Sequence, residues 1–254
     1  MIKPLWLQSV GLFLLLGVVP AFSQGKPDLI VDQRTLSQTW TVRLEDFIAG
    51  QCDAVEDGIT PGQHPIMRFS VSTPNIGDAP VVVGDPNVHI AANDGLFEFA
   101  PCHNHYHFRH YALYELVDPV SGFAWRAAKR GFCMVDVAKY QSDYTLSNVK
   151  RQFTVCGAPG VPGNQGITPG WADVYVWQLQ GQYFVLDGGD GQPPVPPGNY
   201  IIRITVNPGF KPLRGEPCPF SDTLYKDVCH QLEESDYANN STQITVTVPD
   251  RSKK

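Results

Sequence analysis

Glycine and proline interrupt this sequence so often that few segments are long enough to form a helix. The chain contains 23 glycines and 22 prolines among 254 residues. Between them lie short segments that alternate apolar and polar residues or are rich in Val, Ile, Tyr and Phe, a pattern typical of β-strands. We therefore predict an all-β fold, a single β-sandwich-like domain with long Gly/Pro-rich loops. Strands are predicted at residues 27–31, 40–44, 66–72, 80–83, 96–99, 102–108, 111–116, 123–125, 152–156, 173–180, 183–186, 200–206 and 242–248.

The first 23 residues have the features of a secretory signal peptide. Lys3 precedes an apolar stretch at residues 10–19, and Ala21, Phe22 and Ser23 resemble a cleavage site. The apolar stretch is short for a membrane span, although a retained anchor is the alternative interpretation. We therefore predict a secreted protein, extracellular or periplasmic, without stable membrane insertion. Residues 24–250 are expected to form one domain, followed by a polar tail at residues 251–254.

The net charge argues against nucleic acid as a partner. The formal charge is −6, and removal of Lys3 with the signal peptide would make it −7. A protein that binds the phosphate backbone needs a basic surface, which this composition does not provide. The acidic excess is compatible with cationic substrates.

Six cysteines form an even set in a chain that is expected to be exported. They are Cys52, Cys102, Cys133, Cys156, Cys218 and Cys229. Disulfide bonds are the default expectation in that compartment, with fifteen possible pairings. The sequence has no Cys-x-x-Cys pair, so a thiolate zinc cluster and a thioredoxin-like site are disfavoured. We predict a domain that is cross-linked by disulfide bonds.

Three histidines recur at every second position of the segment Cys-His-Asn-His-Tyr-His, residues 102–107. On a strand, His103, His105 and His107 would project from the same face and could bind one metal ion. Imidazole suits zinc, copper, iron and nickel, so the spacing alone leaves the metal open. The alternative is three unrelated polar residues on a solvated face.

Further motifs follow the histidine run in a fixed order. Lys129 lies three residues before Phe132 and Cys133, and Asp173-Val174-Tyr175 follows a Pro-Gly turn at residues 169–170. Two further motifs come next, at residues 197–208 and in the segment Glu-Ser-Asp-Tyr-Ala-Asn-Asn at residues 234–240. Upstream of the histidine run, residues 27–29 and 75–78 match the same set of motifs more loosely. Together these motifs resemble those of the catalytic domain of the lysyl oxidase family, whose members are secreted copper amine oxidases.

The resemblance implies a complete active site. It implies that His103, His105 and His107 bind copper, and that Lys129 and Tyr175 combine to form the cofactor lysine tyrosylquinone. The implied reaction oxidises peptidyl lysine in a protein substrate, or another primary amine, with O2 and yields an aldehyde, hydrogen peroxide and ammonia. Amine oxidation needs such a cofactor, because no ordinary side chain is an electron sink. By position alone, Lys129 would be a surface lysine and Tyr175 a core aromatic residue.

The same reaction needs a base that accepts a proton from the substrate carbon. Asp173 lies two residues from Tyr175 and shares its face if both lie on a strand. His110 is the other candidate, and structural hydrogen bonding is the alternative role for both. The chain has Phe99-Ala100-Pro101 where the family has a tryptophan-rich approach and a further histidine, so the sequence leaves the amine substrate open.

The resemblance also implies two disulfides, Cys52–Cys102 and Cys133–Cys156. Cys218 and Cys229 have no obvious counterpart in the family and are expected to close a loop of their own.

Two other functions remain open at this stage. The first is a non-enzymatic metal-binding β-sandwich module of the cell surface or periplasm, which would keep Lys129 and Tyr175 far apart. The second is an immunoglobulin-like interaction domain in which the histidines have no metal to bind.

Overall fold

The computed structural model describes residues 25–140 and 149–251. The predicted signal peptide at residues 1–23 and residues 252–254 of the predicted tail lie outside the described residues. Strands are far more extensive than helices, so the predicted all-β class is confirmed. Arg251, at the start of the predicted tail, donates a hydrogen bond to the Val195 carbonyl at 2.7 Å.

The described residues form three short helices and sixteen strands. The helices are α1 (Gln33–Gln38), α2 (Cys52–Val55) and α3 (Pro86–Ala92). The strands are β1 (Thr41–Phe47), β2 (Gly62–Arg68), β3 (Val71–Pro74), β4 (Val81–Gly84), β5 (Phe97–Ala100), β6 (His105–Phe108), β7 (Ala112–Val117), β8 (Ala124–Arg126), β9 (Ala138–Lys139), β10 (Gln165–Ile167), β11 (Trp171–Tyr175), β12 (Tyr183–Val185), β13 (Gly198–Val206), β14 (Phe220–Ser221), β15 (Cys229–His230) and β16 (Ser241–Val248).

Within the described ranges the strands are arranged in six antiparallel sheets. The largest has the order β16-β13-β7-β8, and two three-stranded sheets have the orders β1-β2-β12 and β3-β11-β9. The pairs β10-β4, β14-β15 and β5-β6 complete the set. The many short sheets follow from the sequence, because glycine and proline end most strands after a few residues.

One hydrophobic core joins the large sheets. Ile202 and Ile204 of β13 and Leu116 of β7 are fully buried and belong to the same cluster as Phe69 and Phe184. The alternating burial along β13 is what a strand with one buried face requires. Burial of this apolar surface is the main favourable term in folding, and it fixes the strands that carry the site.

The three predicted disulfides are present. Cys52 is bonded to Cys102, Cys133 to Cys156, and Cys218 to Cys229. Each bond constrains the unfolded chain and contributes about 2–4 kcal/mol to stability. The first two tie together segments that surround the histidine run and Tyr175.

Several predicted strands differ from the observed ones. Residues 27–31 and 152–156 form only single bridges, Leu29 with Asn75 and Val155 with Asn164. The predicted strand over residues 66–72 is divided between β2 and β3, and the one over 173–180 ends at Tyr175, where a turn follows. These segments have the apolar composition of strands, but side chains accept some of their backbone hydrogen bonds: Glu234 accepts from the Leu29 N–H, Thr39 from the Ser70 N–H and Asp136 from the Phe153 N–H.

Among the residues that the structure describes, no helix is long and apolar enough to cross a membrane.

A buried carboxylate holds three distant parts of the chain together. Glu234 is 2% exposed and accepts hydrogen bonds from the Leu29 N–H at 2.5 Å, Asn207 Nδ2 at 2.6 Å and Asn240 Nδ2 at 2.8 Å. The motif segments 197–208 and 234–240 therefore meet at a structural junction, where they anchor the N-terminal segment.

Replacing this carboxylate should destabilise the fold. In Glu234→Gln one oxygen becomes an NH2 group that faces a donor, so we expect the free energy of unfolding to fall by about 1–3 kcal/mol. Urea unfolding measures the change. The neighbouring Glu233 forms an exposed ion pair with Lys26 at 2.8 Å, and Glu233→Gln should change stability by less than about 0.5 kcal/mol. Equal losses in the two variants would contradict the role of Glu234.

Candidate functional site

The spacing predicts that the three histidines lie on one strand, but the structure places only two of them there. His105 and His107 belong to β6, whereas His103 lies in the preceding turn, where Asn104 has a φ of 55°. The turn is fixed by the Cys52–Cys102 disulfide and by the Cys102 N–H, which donates to Glu56 Oε1 at 2.5 Å. The expectation of one continuous strand over residues 102–108 is therefore wrong.

The three imidazole rings nevertheless lie close together. Their centroids are separated by 5.8 Å between His103 and His105, 5.2 Å between His103 and His107, and 5.0 Å between His105 and His107. Glu56 Oε2 lies 2.5 Å from His103 Nδ1. A carboxylate in this position orients the ring and leaves Nε2 available for a metal ion. Glu56, at the C-terminal end of α2, therefore belongs to the histidine cluster.

Burial keeps two of these rings in the neutral form. It lowers the pKa of His107 from 6.5 to about 3, and the charges of Lys129 and of the other two histidines add to the effect. Burial and the charge of His103 also lower the pKa of His105. Metal ions bind the neutral imidazole, so these two side chains are in the protonation state that a metal site requires.

The three imidazoles have the right chemistry to bind a metal ion, but their side chains are not arranged to hold one in this structure. Nitrogens that share one ion lie about 2 Å from it, which places coordinating rings roughly 5 Å apart, as observed for His105 and His107. Within residues 25–140 and 149–251, however, no group of three His, Cys, Asp or Glu side chains has a geometry that could hold an ion as it stands. By chemistry and proximity the three imidazoles are suitable ligands for zinc, copper, iron or nickel, and their rings would have to adjust to hold an ion.

A backbone bridge joins the histidine strand to the segment that carries Lys129. The Phe108 N–H donates to the Phe132 carbonyl at 2.6 Å, and the Phe132 N–H donates to the Phe108 carbonyl at 3.3 Å. The Lys129 N–H donates to the Gly181 carbonyl at 2.8 Å on the other side. Lys129 is therefore held close to His107, with Gly131 packed directly against the imidazole ring.

Lys129 and Tyr175 are neighbours in the structure. Lys129 Nζ lies 5.1 Å from the centroid of the Tyr175 ring and 5.5 Å from that of Phe132, and both Lys129 and Tyr175 are 8% exposed. The Tyr175 hydroxyl accepts a hydrogen bond from the Cys133 N–H at 2.8 Å and donates one to the Cys133 carbonyl at 3.0 Å. A lysine and a tyrosine 46 positions apart in the chain are thus brought within reach of each other.

Burial also controls the protonation of these two residues. It lowers the pKa of Lys129 despite the nearby carboxylates of Asp57 and Asp173, and it raises the pKa of Tyr175 well above its usual value, with Asp173 adding to the effect. Asp173 lies two residues before Tyr175 on β11, as predicted, and burial raises its pKa strongly. The low-dielectric interior therefore favours the neutral form of each group.

Two cavities are lined in part by residues 128–131. One has a volume of about 280 Å³ and reaches His107; its charged lining residues are Glu56, Asp57, Glu98, Asp190 and Arg130. The other, of about 350 Å³, reaches Lys129 and contains His110 and three arginines, Arg109, Arg126 and Arg130. The first cavity is acidic, and burial raises the pKa of Asp57 in its wall to about 6.

The candidate base His110 lies in the turn after β6 and lines the second cavity, so it shares that cavity with Lys129. Burial and the charge of Arg109 lower its pKa. The structure therefore brings both base candidates, Asp173 and His110, to the surroundings of Lys129.

Sequence patterns did not identify the acidic residues of the site. Glu56 and Asp57 follow Cys52 in a segment without a recognisable motif. The signal that could have located them is the Cys52–Cys102 pairing, because a disulfide that ends one residue before His103 brings the residues after Cys52 to the histidines.

Gly131 should not tolerate a side chain. A Cβ atom there would lie 2.5 Å from His107 Nδ1 and 2.8 Å from His107 Cβ, and the buried ring has little room to move. We expect Gly131→Ala to lower the free energy of unfolding by about 1–3 kcal/mol in urea. Gly198→Ala is the matched control, since its nearest atom would lie 3.5 Å away, and we expect a change below about 0.5 kcal/mol. A Gly131→Ala protein as stable as this control would contradict the packing.

Comparison with known proteins gives the family. A sequence profile described as Lysyl oxidase matches residues 27–214. The protein-lysine 6-oxidase of Rattus norvegicus is 26% identical over 233 residues, which cover 86% of this chain and 46% of that protein. Lysyl oxidase homolog 1 of Homo sapiens is 26% identical over 205 residues, which cover 76% of this chain and 32% of that protein. The chain spans less than half the length of these two relatives.

The profile includes the histidine run, Lys129 and Tyr175, and it ends before the Cys218–Cys229 loop. With most of its length matched in this way, the chain belongs to the lysyl oxidase family.

Proposed function

We propose that the chain is a secreted copper-dependent amine oxidase, extracellular or periplasmic, that uses lysine tyrosylquinone formed from Lys129 and Tyr175. The observation that carries the proposal is the 5.1 Å separation between Lys129 Nζ and the Tyr175 ring, beside three clustered imidazoles. The non-enzymatic metal-binding alternative requires Lys129 and Tyr175 to be far apart, and this separation does not support it.

In the proposed reaction a primary amine, water and O2 give an aldehyde, ammonia and hydrogen peroxide. Bound copper and the tyrosine-derived quinone would supply the electron sink that side chains lack. His103, His105 and His107 would hold the copper, and Glu56 would keep the His103 ring oriented. Asp173 or His110 would accept the proton from the substrate carbon.

The acidic cavity supports a cationic amine as the substrate. Its lining includes the carboxylate-bearing residues Glu56, Asp57 and Glu98 together with His107. A lysine side chain is a flexible cation that such a lining attracts. Peptidyl lysine of a protein and free primary amines both satisfy this requirement.

Formation of the cofactor is the first test. After metal-free protein is loaded with Cu(II) in air, peptide mass analysis should find Lys129 and Tyr175 in one covalently linked species. Relative to the two separate peptides, that species gains one oxygen atom and loses four hydrogen atoms, with O2 as the oxidant. The loaded protein should then release hydrogen peroxide when a primary amine is added.

Lys129→Arg is the matched control, because it keeps a long basic side chain but provides no primary amine for the link. It should bind copper and lack both the linked peptide and the peroxide release. Separate, unmodified Lys129 and Tyr175 peptides in copper-loaded wild-type protein would refute the proposal.

Copper binding tests the histidine cluster. Glu56→Gln removes the carboxylate beside His103 Nδ1, so we expect the affinity for Cu(II) to fall by about 10–100-fold in a chelator competition titration. Glu98→Gln changes a second acidic residue of the same cavity that pairs with Arg109 at 3.6 Å and does not contact His103. It should leave the affinity close to that of the wild type, and a similar loss in both variants would argue against an orienting role for Glu56.

A further inference from the structure

One carboxyl group close to the Lys129–Tyr175 pair has no structural explanation of its own. Asp173 is 2% exposed, and within the described part of the chain its Oδ2 atom has no hydrogen-bond partner. A buried polar atom without a partner is costly, and such atoms occur where function requires them. The described fold therefore gives no structural role to Asp173 Oδ2, which suggests a functional one.

Four acidic residues, Asp53, Glu56, Asp57 and Asp173, raise the pKa of Lys129 against the effect of burial, and two of them are engaged elsewhere. Glu56 contacts His103 and the Cys102 N–H, and Asp53 accepts a hydrogen bond from the Gly181 N–H at 3.0 Å. Asp57 and Asp173 differ, because each has a buried Oδ2 atom without a partner among the described residues. These two are the acceptors left for the Lys129 amine, and both act on it electrostatically.

The two acceptors belong to different parts of the site. Asp57 lines the acidic cavity. Asp173 lies on β11, where its side chain and that of Tyr175 project from the same face of the strand. An amine that binds Asp173 is therefore held toward the Tyr175 ring, and an amine that binds Asp57 is drawn toward the cavity.

We propose that Asp173 is a positioning residue for cofactor formation, whose carboxyl group holds the Lys129 amine at the Tyr175 ring in competition with Asp57. This inference rests on the proposed function, because it concerns the step in which Lys129 Nζ bonds to the ring. Asp136, the remaining carboxylate near Asp173, does not take this part, since it accepts hydrogen bonds from the backbone N–H groups of Thr168, Gln152 and Phe153.

The first experiment measures the yield of the linked peptide after Cu(II) loading in air. Asp173→Asn keeps the size of the side chain and replaces the carboxyl group with an amide, and we expect the rate of linkage to fall by about tenfold or more, because the amine is no longer held at the ring. Asp57→Asn removes the competing carboxylate and should link at the wild-type rate or faster. Both variants should retain the wild-type copper content, which a general structural defect at the site would reduce.

Linkage of Asp173→Asn at the wild-type rate would overturn the proposal. Slowing of Asp57→Asn as severe as that of Asp173→Asn would overturn it too, because the two carboxylates would then have the same role.

A second experiment needs neither copper nor linkage. In metal-free protein, Lys129→Met, Asp173→Asn and the double variant form a double-mutant cycle for the urea midpoint of unfolding. If the amine contacts Asp173, the double variant should lose less stability than the sum of the single variants, since removing one partner leaves the other unpaired in the interior. Additive losses would overturn the contact.

The cycle also separates the two proposals. If copper-loaded wild-type protein never forms the linked peptide, the proposed function fails, and the cycle still decides whether Asp173 holds Lys129.

Discussion

The pairing of Phe108 with Phe132 is the interaction on which the site depends. Two backbone hydrogen bonds join the end of the histidine strand to the segment after Lys129. Phe132 is fully buried and packs edge-on against the Tyr175 ring at 5.3 Å. This bridge helps to bring the imidazoles, the lysine and the tyrosine together, although they come from three separate stretches of the chain.

Low dielectric surroundings give this site its chemical character. Burial lowers the pKa values of His107 and Lys129 and raises those of Tyr175 and Asp173. All four groups are therefore driven toward their neutral forms. A neutral imidazole can bind a metal and a neutral amine can act as a nucleophile, so the interior prepares His107 and Lys129 for the parts proposed for them.

Predictions from the sequence are correct for elements that depend on a local residue pattern, and they are wrong for segments whose structure depends on contacts with distant residues. The last two long strands, β13 and β16, were predicted to within two residues because their apolar positions alternate. His103 was misplaced, since a disulfide and Glu56 bend the chain before β6. Residues 27–31 pair at one position only, because Glu234 provides the acceptor for the Leu29 N–H. The proximity of Lys129 and Tyr175 was expected only from resemblance, since no local pattern connects residues so far apart.

The hydrogen bonds between the Tyr175 hydroxyl and Cys133 have a consequence for where the protein can assemble. Both bonds go to the backbone of a cysteine that is fixed by its disulfide to Cys156. In a reducing compartment this anchor would be a free thiol on a less constrained loop, and the phenol would lose its fixed partner. The Cys133–Cys156 disulfide therefore helps to fix the orientation of the Tyr175 ring, which makes that orientation depend on the oxidation state of the surroundings.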